Sequence, residues 1–206
     1  MPIVDIPFKR VAIDIVGEIF PASSRGHRYI LTLVDYATRY AEAVPLKSIT
    51  TTSVAEALVG IFSRVGIPEE ILSDRGTQLT SAQMREVGRL LSLKQLTTTP
   101  YHPQCNGLVE RFNGTLKMML KRMCAEKPKD WDRYISALLF AYREAPQESL
   151  GFSPFELLYG RTVKGPLQIL RKLWTKEETD PETRSTDGFA PTCIACAAPV
   201  PYAQKT

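Results

Sequence analysis

RVAIDIVG (residues 10–17), RYILTLVDY (28–36) and RYAEAVPL (39–46) are three short apolar runs that follow one another across brief connections. Runs of this length, rich in β-branched residues, read as strands, and their close succession predicts an antiparallel meander. Outward from them, TTSVAEALVGIFSRV (51–65) places Val54, Leu58, Ile61, Phe62 and Val65 at helical spacing, with Gly66 as a C-cap. Residues 70–73 form a short strand ending at Asp74, residues 81–92 a second helix opened by Ser81, and residues 93–99 a further strand. Three strands followed by helix, strand, helix and strand predict an α/β fold, a five-stranded sheet with helices on its faces.

PYHPQCNG (100–107) breaks regular structure and is a loop. A long helix is expected from about Leu108 to Lys127, halted near Pro128. Another covers WDRYISALLFAYREA and stops before Pro146. Ser153 and Pro154 then suit the N-cap and N1 of a short helix. Beyond Trp174 apolar periodicity ends, and the chain is rich in Thr, Pro, Ala and charge. The expected organisation is one core over residues 1–173 and a disordered tail over 174–206.

The chain has 206 residues, of which 44% are hydrophobic and 23% charged, an ordinary globular composition. No stretch supplies the roughly 18 uncharged apolar residues of a membrane helix, and MPIVDIPFKR lacks a secretory apolar region, so an intracellular protein is expected. A net charge of +4 is compatible with a polyanionic partner without requiring one. Cys105, Cys124, Cys193 and Cys196 are expected to stay reduced. Cys193 and Cys196 form a single CxxC, too few ligands for a closed zinc site.

Three carboxylates carry the chemistry. Asp14 interrupts an apolar strand, where an ionised group is costly unless paired or bound to a metal. Asp74 stands at a strand's C-terminal end, where α/β sheets place ligands. Glu110 opens the long helix. Each has an ordinary alternative: a hydrogen-bonded strand-end Asp, a turn-forming Asp in SDRG, and a Glu that complements the helix dipole. Together they say more. The 35 residues between Asp74 and Glu110 hold a helix, a strand and a glycine-containing loop, enough to return Glu110 to the end of Asp74's strand. Carboxylates gathered there can hold hard, oxygen-seeking cations, and two such ions about 4 Å apart suit in-line attack on a phosphodiester.

The D…D-x35-E spacing, SDRGTQLTS (73–81) and TPYHPQCNGLVERFNGTLK (99–117) resemble the integrases of retroviruses and, more closely, of Ty3/gypsy retrotransposons. WDRYISALLFAYREAPQESLGFSPFELLYGR (131–161) is similar to the segment that follows in gypsy-type integrases. The resemblance covers roughly residues 7–173. It implies an RNase H-like fold, Asp14, Asp74 and Glu110 as catalytic and metal-binding residues, and Mg²⁺ or Mn²⁺ as a pair of ions. It also implies 3′-end trimming of element DNA and its strand transfer into target DNA, a homodimer or higher oligomer, and work in the nucleus. Cys105 departs from the family's usual Thr, and Glu18 from a frequent Pro. No HHCC zinc module, SH3-like module or chromodomain is recognisable in these residues. The alternatives are a non-catalytic, domesticated or fragmentary integrase-derived module for DNA binding or dimerisation, and an RNase H-like nuclease with another substrate.

DNA contacts are expected from the same helix and loop. At 100° per residue, Lys117 and Lys121 project within about 20° of Glu110. Phe112, Leu116, Met119, Leu120 and Met123 form the opposite, core-facing stripe. The resemblance favours a phosphate contact for Lys117 over a merely solvated lysine. Tyr101, Gln104 and Asn106 lie in the loop before Glu110, where they can meet a DNA end, and Asn106 also suits a helix N-cap.

Overall fold

The computed structural model describes residues 6–74, 85, 88–89, 91–97, 107–165, 169 and 174. Strands β1 (Arg10–Val16), β2 (Tyr29–Asp35) and β3 (Ala41–Leu46) form the antiparallel meander read from the sequence. Helix α1 (Thr51–Val65) then crosses to β4 (Glu70–Ser73), which pairs parallel to β1, and β5 (Lys94–Thr97) pairs parallel to β4. The sheet order is β3-β2-β1-β4-β5, a five-stranded mixed sheet. Residues 85, 88 and 89 are helical, within the helix expected over 81–92. Helix α2 (Gly107–Met123), a 3₁₀ turn (Pro128–Asp130), α3 (Trp131–Glu144) and α4 (Pro154–Tyr159) follow.

Strand alternation divides the core. Val11 and Ile13 of β1 and Leu31 and Leu33 of β2 face α1, packing with Val54, Leu58, Ile61 and Phe62. Ala12 and Val16 of β1 and Ile30 and Val34 of β2 face α2 and α3, packing with Val109, Phe112, Leu116, Trp131 and Ile135. Because side chains alternate, Asp14 shares the face of Ala12 and Val16 and points toward α2. Where β1 ends, a Cβ on Gly17 would run into the Tyr29 ring, so this close approach requires glycine.

The caps match the chain's chemistry. Thr50 accepts from the Ser53 amide at the start of α1, and Gly66 closes its end at φ 92°. At α4, Ser153 Oγ accepts from the Glu156 amide at 3.2 Å, and Glu156 Oε2 accepts from the Ser153 amide at 2.9 Å. This capping box fixes the short helix that the Ser-Pro pair announces.

Two expectations are corrected. Helix α2 ends at Met123, with a turn and bends from Cys124, rather than running to Lys127. Met123 is 50% exposed and does not join the core stripe, since the packing face is completed by Leu120 and Cys124. Among the described residues, no helix is long and apolar enough to cross a membrane.

Candidate active site

The parallel register of β1 and β4 builds the site. Arg10 pairs with Glu70, Val11 with Ile71 and Ala12 with Leu72. Asp14 lies two residues beyond the last of these pairs on β1, and Asp74 directly follows the end of β4. Glu110 joins them from α2, whose Asn113, one turn later, donates from Nδ2 to Asp14 Oδ2 at 2.7 Å. Asp14 Oδ1 also accepts from the Ile15 amide at 2.8 Å. One helix turn therefore ties α2 to the middle of β1, with Glu110 near enough for its charge to act on Asp14.

The electrostatics register this grouping. Burial pushes the Asp14 carboxyl above its ordinary value of 3.8; the charges of Asp74 and Glu110 push it the same way, against the Ile15 amide and the Asn113 amide. Asp74 and Glu110 themselves are exposed. Like charges acting on a part-buried carboxylate favour a bound cation.

The donor set suits a hard divalent ion, being made of carboxylate oxygens. Asn113 adds an observation of the same kind: the residue is 5% exposed, and its Oδ1 is buried without a hydrogen-bond partner. Among the described residues, however, no three His, Cys, Asp or Glu side chains are already gathered as a metal-ligand group.

Asn113 was not singled out by the sequence reading. Its signal is the burial pattern: Val109, Phe112, Leu116 and Leu120 form the packed face of α2, and Asn113 lies among them as a polar residue at a core position. Polar groups at such positions are retained when they have a partner, and here the partner is Asp14.

Lys117 and Lys121 are exposed and line one side of a cavity of about 450 Å³ between α2 and the segment after β1. Tyr101, Gln104, Cys105 and Asn106 lie outside the described residues, as do Cys193, Cys196 and the rest of residues 175–206.

A five-stranded mixed sheet, three antiparallel strands leading into two parallel ones and flanked by helices, defines an RNase H-like fold. The structure is similar to the integrase catalytic core domain of HTLV-2, solved in complex with magnesium in trimeric and dimeric forms. That likeness has a TM-score of 0.62 at 20% sequence identity and covers 75% of this chain and 98% of the other. Residues 5–103 match the Integrase core domain. It is 28% identical over 160 residues, 77% of its length, to the retrovirus-related Pol polyprotein from transposon 412 of Drosophila melanogaster. It is 30% identical over 173 residues, 84% of its length, to the Pro-Pol polyprotein of feline foamy virus. It spans 13% and 15% of these polyproteins' lengths.

Proposed function

We propose that the chain is a polynucleotidyl transferase core that trims the 3′ ends of retroelement DNA and joins them to target DNA, with Asp14, Asp74 and Glu110 as the catalytic carboxylates. The observation that carries this reading is the part-buried Asp14 on β1, held by Asn113 of the helix that carries Glu110 and feeling the charges of both Asp74 and Glu110. The match to the Integrase core domain and the magnesium complex of the HTLV-2 core support it.

Asp14, Asp74 and Glu110 would hold Mg²⁺ or Mn²⁺, which when bound supplies activation of the attacking water or hydroxyl and neutralisation of the leaving oxygen. The chain's own residues do the positioning. Asn113 and the Ile15 amide orient the Asp14 carboxylate and leave lone pairs on both of its oxygens for a cation. Lys117 and Lys121, on the Glu110 side of α2, offer point charges to the DNA backbone. In trimming, water adds to phosphorus and the bond to the 3′ oxygen breaks, freeing a 3′-hydroxyl. In joining, that hydroxyl is the nucleophile and displaces a target 3′ oxygen. Neither step passes through a covalent bond to the protein. The working form is a homodimer or higher oligomer acting in the nucleus on element ends and chromosomal DNA.

The test is a branched DNA that reports the reverse of strand transfer, incubated with Mn²⁺ or Mg²⁺. The wild-type chain should resolve it. Asp14→Asn, Asp74→Asn and Glu110→Gln should each lose at least about a hundredfold while keeping their melting transitions. Activity that survives in any of the three would remove that residue from the chemistry.

A further inference from the structure

The cavity between α2 and the segment after β1 has a construction that backbone contacts alone do not require. Its floor is apolar, made by Leu120, Cys124 and Trp131, all buried. Lys117, Lys121 and Phe20 also line it. Phe20 is 81% exposed, yet its segment is tied down on both flanks. Ile19 N–H donates to Arg28 O at 2.7 Å, Trp131 Nε1 donates to Pro21 O at 3.2 Å, and Ser24 N–H donates to Lys129 O at 2.8 Å. The acidic lining residue, Glu18, is engaged by Arg28 at 2.9 Å. An exposed aromatic ring on a tethered segment, lining the same cavity as two lysines, suits a ligand that has both a flat face and a negative charge.

We propose that this cavity takes an unpaired nucleotide near a DNA end, its base against Phe20 and its phosphate at Lys117 and Lys121. The inference rests on the DNA-processing reading and adds a subsite to it. About 450 Å³ lies within the range of small-ligand sites. From Glu110 to Lys117 the helix rises about 10 Å, roughly three nucleotides of a stacked strand at 3.4 Å each. A strand whose scissile bond lies at the carboxylates would thus bring a neighbour two or three nucleotides away to the cavity. Base–aromatic stacking tolerates every base, so the subsite selects unpaired ends without reading sequence.

The experiment uses the full chain and two labelled duplexes of one sequence, one blunt and one with three unpaired nucleotides at an end, with affinity read by fluorescence anisotropy. The wild type should favour the unpaired end by about tenfold. Phe20→Ala should bring the ratio near one, and Phe20→Tyr should restore it, with melting temperatures showing that the fold is kept. Equal affinities in the wild type, or a preference that survives Phe20→Ala, would overturn the proposal and leave the DNA-processing reading standing. Binding to neither duplex would overturn both. A preference that survives Phe20→Ala while the particle mass falls would assign the face to a second copy of the chain instead.

Discussion

Asp14 accepts hydrogen bonds from the Ile15 amide and from Asn113, and still its carboxyl is raised above 3.8, by burial first and by the charges of Asp74 and Glu110 after it. Its ionised form is therefore disfavoured in the folded chain relative to the unfolded one. At neutral pH that ionisation costs stability, and the cost fades as the pH falls through the folded value toward 3.8. Asp14→Asn removes the charge, and Asn113 can turn its amide to meet the new side chain because its Oδ1 has no other partner. In a chelator at neutral pH, Asp14→Asn should melt higher than wild type by about 2–4 °C, the equivalent of about 1 kcal/mol in a chain of this size. The gain should shrink as the pH approaches the ordinary carboxylate range. A lower melting temperature would mean that the two hydrogen bonds outweigh the buried charge. A higher melting temperature together with lost activity is the result expected where charge is concentrated for chemistry.

At the scale of elements, β1 and β4 must stay in register for Asp14 and Asp74 to meet. Arg10 secures that pairing: its Nε and Nη2 each lie 2.6 Å from Glu70 Oε2, and Lys94 of β5 reaches Glu70 Oε1 at 3.5 Å. The Arg10 hydrogen bond holds the Glu70 carboxyl below its ordinary 4.5, with the Arg10 and Lys94 charges acting the same way. A depressed folded value stabilises above the unfolded one and loses that stabilisation as the pH falls. Glu70→Gln should therefore be less stable at neutral pH, by less than about 1 kcal/mol for a solvent-screened pair. Its melting curve should converge on the wild type as the pH drops below 4.5; a difference independent of pH would place the effect in packing. The strands and α1 were legible because their side-chain periods of two and 3.6 are unmixed. The end of α2 was not, because Met123 fits the helical period as well as Leu120 does and only the packing of Cys124 and Trp131 decides which side chains complete the core. Asn113 was missed for a related reason: a polar residue next to Glu110 on a helix looks solvated until the strand opposite is known to present Asp14.

For the whole molecule, charge is arranged across α2, with its apolar stripe on the sheet and Lys117 and Lys121 on the side that borders the carboxylates. Phosphate contacts position DNA without reading bases. Lys117→Ala should weaken binding to many sequences about equally and lower the log–log salt slope by about one unit, the signature of one lost phosphate contact. Thermal stability should hold, since Lys117 is exposed; an unchanged slope would return it to the solvated surface. The D…D-x35-E spacing nominates the carboxylates, but among the described residues they form no closed ligand group. Spacing reports which residues a fold can gather, and side-chain rotamers respond to the ion itself. Diffraction from crystals of the chain grown with Mn²⁺, recorded for anomalous signal, is therefore the most direct measurement. The account predicts a manganese peak bonded to carboxylate oxygens of Asp14 and Asp74, with Glu110 turned toward the same corner. An empty corner at saturating Mn²⁺, or carboxylates directed away from one another, would contradict it.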